Sequence, residues 1–84
     1  MRLDKYLKVS RLIKRRTVAN DACDASRIEV NNKPAKASYD VKIGDLITVN
    51  FGSKSVTVRV IDIKDTTKKT EACGMYEIVS EVES

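Results

Sequence analysis

An α+β domain is what this sequence predicts, with a pair of short helices followed by a small, mostly antiparallel β-sheet. Three observations lead there. Leu3, Tyr6 and Leu7 recur at i, i+3 and i+4, and Val18, Ala19, Ala22 and Cys23 repeat the spacing that gathers side chains on one helical face. From Arg27 onward the apolar period changes to two, beginning with Arg27-Ile28-Glu29-Val30. The alternating segments are separated by Asn31-Asn32, Gly44-Asp45 and Gly52-Ser53, pairs suited to tight reversals. Eighty-four residues suffice for one core, so a single domain is expected over 1–84.

The first helix is placed over residues 2–9, with Arg2, Lys5 and Lys8 at every third position along an edge beside the apolar face. Residues 10–15 form a connector whose Leu12 and Ile13 turn to the core. The second helix runs over residues 16–25, with Asn20, Asp21 and Asp24 on its polar face. Its N-cap is poor: Arg15 stands where Ser or Thr would bond the free N–H groups, and Thr17 is an alternative cap that would start the helix later. A strand over 27–30 ends at Asn31-Asn32, because asparagine tolerates the positive φ of a tight turn. Residues 33–36 begin a return strand with Pro34 marking an edge. A turn at 42–45 leads to a strand over 46–51. A second turn at 52–53 leads to a longer strand over 55–63, with Val56, Val58, Val60 and Asp62 on one side. Residues 65–69 read as an exposed polar loop, 70–74 as a helical turn, 76–80 as a last strand and 81–84 as a frayed tail.

Composition narrows the function classes. With 42% apolar and 33% charged residues, the chain matches an ordinary soluble globular protein, not a disordered one. No apolar run approaches the roughly 20 residues of a membrane span, and bases interleave throughout the first sixteen positions, so neither a membrane partner nor a signal peptide is expected. There is no histidine, and Cys23 and Cys73 stand far apart with no C-x-x-C pair, so no metal site and no cofactor are expected. The same lack removes the commonest general base, and no catalytic residue is assigned. The cysteines read as reduced thiols, Cys23 facing the core from its helix.

Charge is distributed unevenly. Seven of the sixteen basic residues (Arg2, Lys5, Lys8, Arg11, Lys14, Arg15 and Arg16) lie in the first sixteen positions, against one acid, Asp4. The remaining residues hold nine bases and eleven acids, so the net +4 averages a basic N-terminus over a slightly acidic body. Such a cluster attracts polyphosphate.

Four blocks then become informative together: Arg2-Leu3-Asp4-Lys5-Tyr6-Leu7, Lys14-Arg15-Arg16-Thr17-Val18-Ala19, Arg27-Ile28-Glu29-Val30-Asn31 and Val41-Lys42-Ile43-Gly44-Asp45. In this order and spacing they resemble the S-four RNA-binding domain, or αL motif, over about residues 1–51, leaving a strand-rich extension over 52–80. The start R-L-D-K-x-L-K and the length resemble the stand-alone branch of that family. This branch holds the ribosome-associated quality-control factors of the RqcP group and the heat-shock-induced ribosome-binding proteins. Val41–Phe51 and the segment from Asp65 to Tyr76 look closest to the former. Two positions depart from the pattern: Ser26 stands where glycine is usual, and Asn32 where a Val-Asn-Gly turn is usual.

The resemblance implies a non-catalytic, cytoplasmic RNA-binding factor. It would bind the obstructed large ribosomal subunit through rRNA and P-site peptidyl-tRNA, and support alanine tailing of the stalled chain by a NEMF-type factor on that subunit. The alternative is recycling of split subunits in the manner of the heat-shock relative, whose C-terminus is longer and basic where this one is acidic. A monomer is expected. Arg2 and Arg16 map onto the arginines of the family's RNA face and are expected to meet phosphate, which their planar forks grip through paired hydrogen bonds. Lys5, Lys8, Arg11, Lys14 and Arg15 lie on or near that edge, some touching RNA and the others steering it. Lys36 extends the rim in the family. Asp4 is expected to orient a neighbouring base or cap the first helix, and Tyr6 to serve the core in preference to stacking on a base. Lys68 and Lys69 read as a solvated loop. An excised appendage of an RNA-modifying enzyme or synthetase would lack its catalytic domain here, and a DNA-reading helix would not present Asn20, Asp21 and Asp24.

Overall fold

The computed structural model describes residues 1–63 and 73–83. In chain order they form α1 (Leu3–Val9), α2 (Arg16–Asp24), β1 (Ile28–Val30), β2 (Lys33–Pro34), β3 (Leu46–Phe51), β4 (Lys54–Val60), a 3-10 turn (Cys73–Met75) and β5 (Tyr76–Glu83). The strands make one five-stranded sheet in the order β2-β1-β3-β4-β5, and every pairing is antiparallel.

One apolar core joins the two layers. Leu3, Tyr6 and Leu7 of α1 and Ala19 and Cys23 of α2 meet Ile28, Val30, Ile47, Val49, Val56, Val58 and Val60 of the sheet. The strand residues alternate, as a sheet buried on one face requires. On its other face Thr48 and Thr57, directly opposite one another, share a hydroxyl–hydroxyl hydrogen bond of 3.0 Å. Met75 is fully buried, and its carbonyl accepts from the Tyr6 hydroxyl at 2.8 Å and from the N–H groups of Ile61 and Asp62 at 2.9 and 3.2 Å.

The ends of the helices explain how short elements persist. The first three N–H groups of a helix have no partner within it. In α1, Leu3 N–H donates to the Tyr39 carbonyl, Asp4 N–H to the Ala37 carbonyl, and Lys5 N–H to Asp4 Oδ1 at 2.8 Å. The segment 37–39 therefore does the work of a cap. Helix α2 begins at Arg16 with extended Arg15 at the N-cap and no side-chain cap, so Thr17 does not delay its start. That end is exposed, and water can take its N–H groups. At the far end Ser26 adopts φ 59, its N–H donating to the Cys23 carbonyl and Arg27 N–H to the Ala22 carbonyl. This is the Schellman pattern, in which the left-handed residue is usually glycine.

Asn31 and Asn32 at φ 53 and 67 form the turn between β1 and β2, with the paired positive angles of a type I′ reversal. The Asn31 side chain also ties this turn to the next one. Its Oδ1 accepts from Leu46 N–H and its Nδ2 donates to Asp45, whose other oxygen accepts from the Tyr39 hydroxyl at 2.9 Å and Lys42 N–H at 3.0 Å. Gly44 at φ 95 lets that second turn close beneath the network.

Several expectations are corrected. Val18 is half exposed: α2 buries only the Ala19–Cys23 stripe, which is narrower than its apolar residues suggest. Strand β4 stops at Val60, because Ile61 and Asp62 bond the Met75 carbonyl instead of a strand partner. Residues 81–83 do not fray. They continue β5 opposite Lys54–Val56, and Lys54 Nζ meets Glu81 at 2.8 Å across the pair. The 3-10 turn occupies the end of the expected helical turn, while the loop at 65–69, including Lys68 and Lys69, and residues 70–72 lie outside the described residues.

Candidate nucleic-acid interface

The N-terminal charges are organised around a buried carboxylate. Asp4, on the first turn of α1, is 2% exposed, yet each of its oxygens faces cations and donors. Arg2 Nε donates to Oδ1 at 3.2 Å and Arg16 Nε to Oδ2 at 3.4 Å, while Asn20 Nδ2 reaches Oδ2 at 3.5 Å. With Lys5 N–H also on Oδ1, the carboxylate is well satisfied. Burial alone would push its proton affinity up. The hydrogen bonds from Arg2, Asn20, the Lys5 backbone and Arg16 outweigh burial and hold the carboxyl below its ordinary value.

The consequence for the arginines is directional. Each is held through Nε while its side chain stays about half exposed, 54% for Arg2 and 48% for Arg16. The terminal amino groups of a guanidinium keep four N–H donors when Nε is engaged. Two forks, one just before α1 and one at the start of α2, are thus fixed on one carboxylate, an arrangement suited to phosphate oxygens.

The remaining candidates are distributed around this pair. Lys8, Arg11, Lys14 and Arg15 are exposed and Lys5 is partly buried. Arg11, just past the end of α1, sits at φ 63, unusual for a side chain of its size. Lys36 lines a cleft of about 540 Å³ that also takes in Arg2 and Asn20, so it shares that cleft with Arg2, though not with Arg16. Lys14 faces a different cleft, with Arg27, Leu12 and Val18, on another side of α2. Tyr6 is fully buried and offers no face to a base. Sequence reasoning missed Asn20, whose polar side chain on an exposed-looking face gave no sign of reaching a residue on the other helix. The Cys23 thiol, buried beside this cluster, is pushed up to about 11, by burial first and by the Asp4 and Asp24 charges next. Among the described residues no group of His, Cys, Asp and Glu is placed to hold a metal ion, and no helix is long and apolar enough to cross a membrane.

Residues 1–47, which hold both helices, the Asp4 cluster and the two linked turns, match the S4 domain model. The chain belongs to the S4 domain family. Within it, the chain is 63% identical over 81 residues to the RQC P-site tRNA stabilizing factor of Bacillus subtilis, covering 96% of this chain and 94% of that protein. The Streptococcus pneumoniae protein of the same name is 58% identical over 81 residues, covering 96% and 92%. Among solved structures, the trimeric structure of Vibrio cholerae heat shock protein 15 superposes with a TM-score of 0.88 at 31% identity, covering 95% of this chain and 82% of that one. The S4 domain match ends within β3, so β4, which adds Val56, Val58 and Val60 to the core, and the more exposed β5 lie beyond the matched motif.

Proposed function

We propose that this chain is a non-enzymatic, cytoplasmic RNA-binding factor of ribosome quality control that acts on the obstructed large subunit as a monomer. It holds rRNA and P-site peptidyl-tRNA together, supporting alanine tailing of the stalled chain by a NEMF-type factor. The observation that carries this reading is the Asp4-anchored pair, Arg2 before α1 and Arg16 at the start of α2, each held through Nε with its side chain about half exposed. Names of relatives at 63% and 58% identity supply the ribosomal setting. A-form RNA hides its base edges in a deep major groove, so a rigid cationic fork of this kind would read backbone shape more than sequence.

Recycling of split subunits is the second reading, by likeness to the Haemophilus influenzae heat shock protein 15 homolog, 29% identical over 65 residues. The higher identity to the tRNA-stabilizing factors, 63% and 58%, favours the first reading.

Tagged protein recovered from cells tests the proposal. Co-sedimentation with large subunits bearing peptidyl-tRNA and the tailing factor is expected, whereas recovery with intact ribosomes, with DNA or with nothing overturns it. In vitro, Arg2→Ala and Arg16→Ala should each remain folded, weaken RNA binding and lower the salt slope by about 0.7–0.9 log unit per tenfold salt, the value of one phosphate contact. Unchanged slopes would refute the assignment of both arginines.

A further inference from the structure

Beside the arginine pair lies a trough that the sequence did not announce. Two depressions adjoin across the segment that follows β1, sharing Pro34, Ala35 and Lys36 as common lining. One, of about 540 Å³, reaches Arg2; the other, of about 630 Å³, reaches Lys33 and Tyr39. Each falls within the roughly 300–1,000 Å³ of small-ligand sites. The trough exists because β2 stops at Pro34. Without an N–H, proline suits a sheet edge; Ala35 N–H still reaches the Ile28 carbonyl of β1 at 3.2 Å, and the chain then turns away, with Tyr39 N–H closing onto the Lys36 carbonyl at 3.0 Å.

Its lining differs between the two depressions. The Tyr39 depression holds Lys33 and Lys36 with no acid, Pro34 and Ala35 as apolar surface and Tyr39 as an aromatic wall, while in the Arg2 depression Asp24 joins Arg2 and Lys36. Tyr39 is held at both ends: its hydroxyl donates to Asp45 at 2.9 Å, and its backbone carbonyl accepts from Leu3 N–H at the start of α1. Lysines for phosphates, a fixed aromatic ring and an apolar surface are what an unstacked nucleotide requires, since a base buries its flat face while its phosphate stays charged. A paired duplex offers no free face to Tyr39. Continuity with Arg2 favours RNA over an acidic peptide as the occupant.

We propose that this trough is a second RNA subsite, holding an unpaired nucleotide next to the structured RNA gripped by Arg2 and Arg16, with Lys33 and Lys36 on its phosphates and Tyr39 against its base. The inference rests on the RNA-binding reading above and adds a single-stranded element to its ligand.

The test compares a hairpin RNA with the same hairpin carrying a short single-stranded extension, bound to the full chain and to a Lys33→Ala/Lys36→Ala variant. Both lysines are exposed, and a thermal melt confirms that the variant is folded. The extension should raise wild-type affinity by about fivefold or more. The variant should lose that gain, binding the plain and the extended hairpin equally, whatever affinity for the plain hairpin the loss of Lys36 leaves it. A 4-thiouridine in the extension should cross-link within residues 33–39. Equal wild-type affinity for the two RNAs, or a gain that survives the double substitution, would overturn the subsite and leave the Arg2–Arg16 reading intact. A glutamate-rich peptide that displaces the extension but not the hairpin, and binds more tightly than the extension, would reassign the trough to a protein partner. Failure of wild type to bind either RNA would remove the RNA reading and this subsite together.

Discussion

Arg16 and Asp4 belong to different helices, twelve residues apart, and meet at 3.4 Å over a carboxylate almost closed to solvent. One charge thereby does two jobs. It aims a guanidinium at the outside, and it helps to pin α2 against α1.

The first prediction follows from that carboxylate. Asp4→Asn removes the charge while keeping the shape, and it should destabilise the fold by about 1.5–3 kcal/mol, the worth of hydrogen bonds to a charged group. The pH dependence carries a sign. The folded carboxyl is held below its ordinary 3.8, so the unfolded chain takes up a proton first as pH falls. Its contribution is complete above that value and is lost on descending through the folded-state pKa. Urea titrations between pH 7 and 3 should show wild-type stability falling more steeply than that of the variant. Parallel curves would dissociate Asp4 from the acid response.

Tyr6→Phe tests the link between α1 and the C-terminal segment. Loss of the 2.8 Å bond should cost about 0.5–1.5 kcal/mol, because the Met75 carbonyl keeps its two N–H donors. RNA affinity should be unchanged at temperatures where the variant is folded, as measured by filter binding alongside thermal melts.

Ser26→Gly should stabilise the protein by about 1 kcal/mol, relieving a left-handed conformation that disfavours residues with a Cβ. Denaturant midpoints would report it.

Arg11→Gly separates stability from binding. Glycine accepts φ 63 easily, so the same midpoint measurement should rise by about 1 kcal/mol. If the charge at this exposed position serves RNA, affinity falls in the variant that is more stable. A gain in stability at full affinity would leave Arg11 as a steering charge at most.

Much of this architecture is legible from local spacing. The helical recurrence of Leu3, Tyr6 and Leu7, the alternation through Val56, Val58 and Val60, and the paired asparagines all act over a few residues, and the folded chain uses them as their periods imply. What escapes is non-local. Asn20 finds its acceptor sixteen residues away, and Met75 looks like an ordinary methionine until Tyr6 and the end of β4 converge on its carbonyl. The length of β5 depends on the partner it lies against, so an acid-rich stretch that reads as tail becomes strand opposite Lys54. Lys33, next to a turn, resembles any solvated lysine until the trough beside it is formed.

The buried carbonyl of Met75 also sets an order of events during synthesis. All the candidate RNA-binding cations are translated by residue 36, well before the residue that seats Tyr6 and α1. The groups that aim that charge, Asp4 and Asn20, are translated with it, whereas the carbonyl that closes the core over Tyr6 comes some forty residues after the last candidate cation.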